Sequence, residues 1–489
     1  MKNLVAVEQF SPAAYPAPPY HPSSAYPEFT GPGTRLTSAL AAVPNPVFDS
    51  IRQLFLSLGL DRAAGGTPRW NPLGDWIRPG DRVLVKPNLV RHYHPYGYDC
   101  ESIVTHGSVL RAVCDYALLA AGPRGRVVVA DAPLQSCDFA EVVKLAGLDH
   151  LSRHYASLGI DIPVRDLRLV RTTAERVSWF GKVLVQAGNP GDPLGYTNID
   201  LGARSAHSET GADATRYRVT CYDPTRMSRH HGGGRHEYVV ANSLLEADVV
   251  LNVPKLKTHQ KAGLTAALKN FVGINGHKDC LPHHIKGSHE EGGDEYRTGN
   301  WAKQADSWLL DAREQTGSHA ARKAAAVAHR VLESVHRREG FWQGSWYGNE
   351  TIARTTIDLN RIVRYAMPGG ELADQPQRRL FSIVDGVVAG DGDGPLAPSP
   401  RAEGVVMAGA DPVAVDMAAA RLIGFRYRAI PTLRLALDGA AGFRLAACDE
   451  SAVRIVSSLE RWNGLAPGDR RGPSLAFRPH EGWKGHIEL

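Results

Sequence analysis

The chain is short of several things that define common protein classes. Its six cysteines, Cys100, Cys114, Cys137, Cys221, Cys280 and Cys448, include no CxxC pair. That removes zinc-ribbon, ferredoxin-type and thioredoxin-like readings and fits a reducing compartment. No apolar run reaches the roughly 18 residues of a membrane-spanning helix. The start, MKNLVAVEQFSPAAYPAPPYHP, has no apolar stretch of signal-peptide length. Charge of one sign is also lacking: 56 Lys+Arg against 51 Asp+Glu leave +5 over 489 residues. That excess is too small for a nucleic-acid coat or a polybasic membrane patch, though it suits an anionic small molecule. There is no GxGxxG after the first strand, no GxxxxGK[ST] loop, no GxSxG elbow and no HExxH helix. Dinucleotide dehydrogenases, P-loop kinases, serine hydrolases and common zinc proteases lose weight accordingly. The expectation is a cytoplasmic protein with a small anionic substrate, no nucleic-acid or membrane partner, and a homo-oligomer as an open option.

What is present is ample for folding. At 43% hydrophobic and 22% charged the composition is globular, and the length suggests two or three domains. Residues 1–75 hold a Pro-, Tyr-, Ser- and Ala-rich arm over 1–45, wrapping or loose, and a short amphipathic helix near 48–60. Residues 76–240 read as a first α/β lobe: strand 81–89, helix 108–121, a strand ending at Asp131, helix 139–158, and a strand near 162–170. Short alternating pieces over 175–240 predict hairpins or a flap. Residues 241–489 form a second lobe. Its parts are a buried strand ending at Pro254, helix 262–271, a polar His-rich loop 275–300, and a long helix 301–338 broken near Gly317. Helix 349–366, a strand into the loop GDGDGPLAPSP, and a last strand and helix follow. This rhythm predicts an α/β fold with Rossmann-like parallel or mixed sheets covered by helices, in two lobes with a cleft between them.

The segment LNVPKLKTHQKAGLTAALKNFVGINGHKD carries the densest chemistry. Lys255 and Lys257 are two apart on an extended strand end and point the same way. His259 follows, then Lys261, Lys269, Asn270 and Lys278. Lysine is rarely buried without a partner, and ligands of open α/β sheets bind at the carboxyl ends of strands. An anion pocket would need cations there; the alternative is a solvated rim. Lys86 and Asn88 stand at the end of the first strand and Asp131 at the end of the next. His106 opens a helix, where it either meets an anion or simply caps. Catalytic roles fall to Lys257, His259, Lys269 and His106, and substrate binding to Lys86, Asn88, Lys255, Asn270, Lys278 and Asp131. A third group suits a divalent metal, with Fe, Ni, Zn, Mn and Mg undistinguished: His277, His283, His284, His289 and Glu290 of the polar loop, with Asp385, Asp391 and Asp416. His230, His231 and His236, and His92 with His94, are further histidine clusters, each equally readable as exposed loop residues.

These segments together resemble the family designated domain of unknown function three-six-two. VLVKPNLV, VTHGSVLRAV, VVVADAP, ADVVLNVPKLKTHQKAGLTAALKNFVGI, IVDGVVAGDGDGPL and MAGADPVAVDMAAARLIG run in the family's order over roughly residues 80 to 425. SHEEGGDEY and GSWYGNETIARTTIDLNR look like a longer subgroup, without the ferredoxin-like segment that some members carry. The resemblance implies that Lys86, Asn88, His106, Asp131, Lys255, Lys257, His259, Lys269, Asn270, Asp385, Asp411 and Asp416 matter, more than it implies what they do. A fainter similarity links Thr105-His106 and the stretch from His259 through Ala262-Gly263 to Lys269 with the nickel-pincer lactate racemases. Those enzymes have a serine-glycine-glycine stretch where Leu264-Thr265-Ala266-Ala267 stands here, so the likeness does not extend to the pincer cofactor. The reading is a metal-assisted enzyme of isomerase, lyase or oxidative type acting on a small carboxylate or phosphate, in a biosynthetic pathway. Mg-dependent phosphoryl or acyl transfer and a non-enzymatic ligand- or cofactor-binding protein are the alternatives.

Overall fold

The computed structural model describes residues 1–489 apart from 32–35, 37–38, 179–180, 220–223, 300, 317, 319, 322–323, 326, 329–342 and 442. Its centre is a ten-stranded sheet. The strands are β1 (Leu4–Gln9), β2 (Arg82–Pro87), β3 (Arg126–Asp131), β4 (Val164–Asp166), β5 (Val249–Val253), β6 (Lys255–His259), β7 (Gly263–Thr265), β8 (Arg379–Asp393), β9 (Ala397–Gly409) and β10 (Arg454–Val456). Their order is β10-β1-β9-β8-β5-β2-β3-β4, with β6 pairing β7 and β8. The run β8-β5-β2-β3-β4 is parallel throughout, while β9 is antiparallel to β8 and β1 to β9.

The period-two side-chain alternation of a strand builds two cores from this sheet. Val83, Val85, Val127, Val129 and Leu251 face one side, against helix α1 (Pro46–Ser57) and helix α2 (Gly107–Ala121). Leu84, Ala130 and Val250 face the other, against Phe271, Ile274 and Leu359. A strand buried on both faces reads as a continuous apolar run, which is why VVLNV and RVLV carry almost no polar residue. Each fully buried Val or Leu contributes about 1.5–3 kcal/mol. Three further helices matter for the site: α3 (Ala267–Asn270), α4 (Thr351–Tyr365) and α5 (Pro412–Ile423). Asp411 caps α5 by accepting the Val413 and Ala414 N–H groups.

The α/β expectation holds, with differences of arrangement. Strands from both expected lobes lie side by side, Val249 in register with Val83, so they share one sheet. The N-terminal arm supplies β1, which lies between β9 and β10. The helix expected over 139–158 is two, Phe139–Leu145 and Leu148–Ser157, because Gly147 adopts φ +72° between them. The helix expected over 262–271 shrinks to α3. Gly263 at φ +74° packs against Trp483 and Ile487, and β7 pairs back onto β6. GDGDGPLAPSP is no loose loop, since the β8–β9 ladder runs on to Asp393↔Ala397. Of the expected helix 301–338, Trp301–Gln315 is observed, and Gly317 lies outside the described residues. The flap region forms a hairpin, Val170–Ser178 with Gly181–Gly188, and a three-stranded sheet from Tyr196–Asp200, His231–Gly232 and Arg235–Ala241. Among the described residues no helix is long and apolar enough to cross a membrane.

Candidate functional site

Chain order places the site. From β2 the chain moves outward to β3 and β4, then returns to the other side of β2 to lay down β5 and β8. The gap between β2 and β5 is therefore a topological switch point, where connections leave in opposite directions and open a crevice at the carboxyl ends of the strands. A cavity of about 130 Å³ lies there, and its polar wall comes from Asn88, Asp131, Lys257, His259, Thr265, Lys269, Asn270, Lys278 and His283. Val90, Leu134, Leu281 and Leu396 supply apolar wall.

The floor is a closed hydrogen-bond network. Lys86 Nζ lies 2.5 Å from Asp131 Oδ1, and Asp131 Oδ2 accepts the Leu89 N–H at 2.7 Å. Both side chains are buried, so each charge is answered by the other. Gly273 packs directly on the pair: a Cβ there would fall 2.1 Å from Asp131 Oδ1 and 2.5 Å from Lys86 Nζ. Asn88 Oδ1 accepts from Lys257 Nζ at 2.9 Å, and Asn88 Nδ2 donates to Asn270 Oδ1 at 2.9 Å. Asn270 Nδ2 in turn donates to Asn252 Oδ1 and to the Lys86 carbonyl. Asn252 Nδ2 donates to the Ala267 carbonyl at the start of α3. The ends of β2, β5 and α3 are locked together by amide groups whose orientation each neighbour sets.

Two histidines in the wall have opposite hydrogen-bonding character. His259 Nδ1 accepts the N–H groups of Lys261 and Ala262 at 3.0 and 3.1 Å, so its proton sits on Nε2. His283 Nδ1 meets the Leu281 carbonyl at 2.7 Å. A carbonyl only accepts, so His283 carries its proton on Nδ1 and keeps a lone pair on Nε2. Burial, with Lys269 as the next cause, holds both imidazoles well below their usual range and neutral. The cavity thus has a fixed N–H donor and a fixed imidazole base.

The lysines are also shifted down. Burial, then Lys255, pushes Lys257 well below the ordinary amine range; its Nζ donates to Asn88 and to the Ile103 carbonyl at 2.6 Å. Burial brings Lys278 to about 7 against the pull of Asp131, and its Nζ donates to the Val272 and Asn275 carbonyls. Burial, then Lys261, brings Lys269 to about 7. No hydrogen bond or ion pair among the described residues holds the Lys269 amine. An anion entering this wall would restore the positive charge of these amines.

Other expected site residues lie elsewhere. Lys255 Nζ pairs with Asp385 at 2.7 Å and donates to the Tyr15 hydroxyl at 2.6 Å. Tyr15 Oη donates to Asp385 Oδ1, and the His106 N–H donates to Asp385 Oδ2. The His106 ring stacks on Tyr15 at 3.9 Å and accepts the Ser108 N–H as the cap of α2. Burial pushes it down to about 3. His106 and Lys255 are thus part of a buried clamp on the N-terminal arm, and neither lines the cavity.

The eight residues read as metal ligands are not brought together, and among the described residues no group of three or more His, Cys, Asp or Glu could hold a metal ion. His283 is in the cavity wall. His277 is buried with its Nδ1 3.9 Å from Asp279, and buried His284 leaves Nδ1 without a hydrogen bond. His289 and Glu290 are exposed. Asp385 is held in the clamp just described, and Asp391 by Arg478 at 2.9 Å. Asp416 accepts the Ala267 and Leu268 N–H groups at the start of α3, with burial raising its pKa to about 7. His231 and His236 pack with His207 in the interior, their rings 5.7 to 6.2 Å apart.

Tyr15, Asn252 and Gly273 escaped the sequence reading. Asn252 had a signal, a lone amide in an apolar strand. Tyr15 is one of several tyrosines in a proline-rich arm, and Gly273 is one glycine among 49, so neither stood out.

Two comparisons with known proteins find relatives of this chain. A thylakoid-associated protein of a Synechocystis strain is 23% identical over 366 residues, covering 74% of this chain and 68% of its own length. No solved structure matches the chain, and the fainter likeness to the lactate racemases gains nothing from these comparisons. The family described as Domain of unknown function (DUF362) matches over residues 166–421, which takes in β5 to β9, α3 and the cavity lysines and histidines. The chain belongs to that family.

Proposed function

We propose that the protein is an enzyme of isomerase or lyase type that binds a small anionic metabolite in the cavity at the switch point and moves protons on it. One observation carries this reading. The cavity wall combines three buried lysines with an N–H donor, His259 Nε2, and a base, His283 Nε2, while its carboxylate, Asp131, is already neutralised by Lys86. Such a wall favours negative charge on a ligand, and still more the charge that develops when a proton leaves the carbon beside a carboxylate.

The metal assistance expected from the sequence does not fit the residues found. The imidazoles of the cavity face lysines, and the aspartates named for a metal are held by cations or backbone N–H groups. Those same bonds tell against magnesium-dependent group transfer through Asp385 or Asp391. No step of the proposal runs through a metal.

The test has two readouts. Calorimetric titration with glycolate, propionate and inorganic phosphate asks whether the cavity takes small anions, and Lys257→Met should weaken that binding at least about tenfold. Proton magnetic resonance in deuterated water then asks whether the hydrogen beside the carboxylate of a bound ligand exchanges, and His283→Gln should stop exchange while sparing binding. Binding without exchange for any ligand would make the protein a binding protein. Near-stoichiometric transition metal in untagged protein, lost on His283→Gln, would restore the metal-assisted reading.

A further inference from the structure

The three cavity lysines are not equivalent. Lys257 and Lys278 are tethered, each donating to two oxygens of the protein. Lys269 lines the same cavity, is only 8% exposed, and its amine has no partner among the described residues. A charged ammonium so placed is buried with no counterion among the described residues, and the cavity's carboxylate, Asp131, belongs to Lys86. Burial without a partner among the described residues favours the free amine over the ammonium.

From this arrangement we infer that Lys269 is a nucleophile that forms an imine with the carbonyl carbon of a small 2-oxo acid. This rests on the anion reading above and names its substrate class. The tethered Lys257 and Lys278 would hold the carboxylate. That puts the adjacent carbonyl, rather than a second charge, at the unpartnered amine.

The step balances with the groups in the wall. The Lys269 lone pair forms the N–C bond as the carbonyl π pair moves to oxygen, and the Nε2–H of His259 donates to that oxygen. His283 Nε2 takes the two protons of the amine in turn and passes both to the oxygen. The C–O bond breaks with its pair leaving in one water, the nitrogen lone pair closes the C=N bond, and His259 gives the oxygen a hydrogen bond but keeps its proton. The product is a neutral imine, and no oxidant or metal is consumed. Burial and the neighbouring Lys261 lower the amine to about 7, so much of it is free base at neutral pH, as imine chemistry needs. A cavity of about 130 Å³ also fits the size of the ligand: an apolar cavity near 150 Å³ takes a six-carbon ring, so roughly six heavy atoms fill this one.

The experiment uses the full chain with pyruvate and sodium cyanoborohydride, followed by intact mass measurement and peptide mapping. The expected result is one adduct per chain, heavier by one pyruvic acid less one oxygen atom, on Lys269. Lys269→Arg keeps a cation but should lose the adduct, and glycolate, which has no carbonyl, should protect the wild type in competition. Glycolate or pyruvate binding without an adduct on Lys269 overturns the imine and leaves the anion site standing. An adduct spread evenly over surface lysines overturns it too. If neither acid binds, the anion reading falls and the imine with it. The wild-type peptide map decides these cases even if the variant fails to fold.

Discussion

The depressed lysines make anion affinity depend on pH in a range where an ordinary lysine would be silent. Lys269 and Lys278 hold their protons only up to about 7, where the usual amine holds them to 10.5. A ligand that needs the ammonium form loses a factor of about ten in affinity for each pH unit above that, or about 1.4 kcal/mol. From pH 7, where each amine is half protonated, to pH 9 the loss is about 50-fold if one ammonium is required, and about 2,500-fold if both are. Glycolate suits the calorimetry because its carboxylate stays ionised throughout, and binding at pH 8 should take up protons from buffer. Removing one amine, as in Lys278→Met, should lower the slope by about one decade per unit. Stability of the unliganded protein should move the other way. Between about 7 and 10.5 the unfolded chain binds protons that the fold has shed, so these groups add stability as pH rises through that window. Affinity for glycolate that is flat from pH 6 to 9 would refute the argument, since it would mean the amines keep ordinary pKa values or do not touch the ligand.

Three further outcomes follow from the packing. Lys86→Met strands Asp131 in a buried position and should cost about 3–5 kcal/mol in denaturant unfolding, with Lys86→Met/Asp131→Asn recovering part of it; a loss under about 1 kcal/mol would show that the pair is solvated. Gly273→Ala should cost about 1–3 kcal/mol through overpacking and weaken glycolate binding, because its Cβ must displace Asp131 or Lys86; unchanged binding would place the ligand elsewhere. Tyr15→Phe removes the hydroxyl bonded to both Lys255 and Asp385 and should cost about 1–3 kcal/mol in thermal unfolding. Glycolate binding should stay as it was, because Tyr15 is not in the cavity wall.

Much of the framework was legible in the sequence, because its signals are local. Apolar runs ending in Lys86-Pro87-Asn88, Asp131 and Pro254-Lys255 mark strands whose polar residues begin where the sheet stops, and Asp411-Pro412 opens α5. The crowd of lysines and His259 after β5 lies at the end of that strand, beside the cavity. Local signals failed where a long-range contact overrode them. AGLTAALKNF has a helical pattern, yet Gly263 lies against Trp483 and β7 pairs with β6.

Which partner each charged residue meets was decided by the tertiary structure. Lys86, Lys255, Lys257 and Lys269 look alike in the chain, all cations beside apolar residues. Lys86 meets Asp131, 45 residues away, and Lys255 meets Asp385, 130 residues away, so both are spent on holding the fold. Lys257 meets amide and carbonyl oxygens, and Lys269 meets no partner among the described residues. The placing of β5 beside β2 made the crevice, and the backbone groups around His259 and His283 set which ring nitrogen carries the proton. The histidines and aspartates that seemed to share a metal were dispersed by the same folding. Periodicities of 2 and 3.6 residues fix which side of a segment is buried. They carry no information about which distant side chain will stand opposite, and that decides whether a buried lysine is paired or left with its amine open to the cavity.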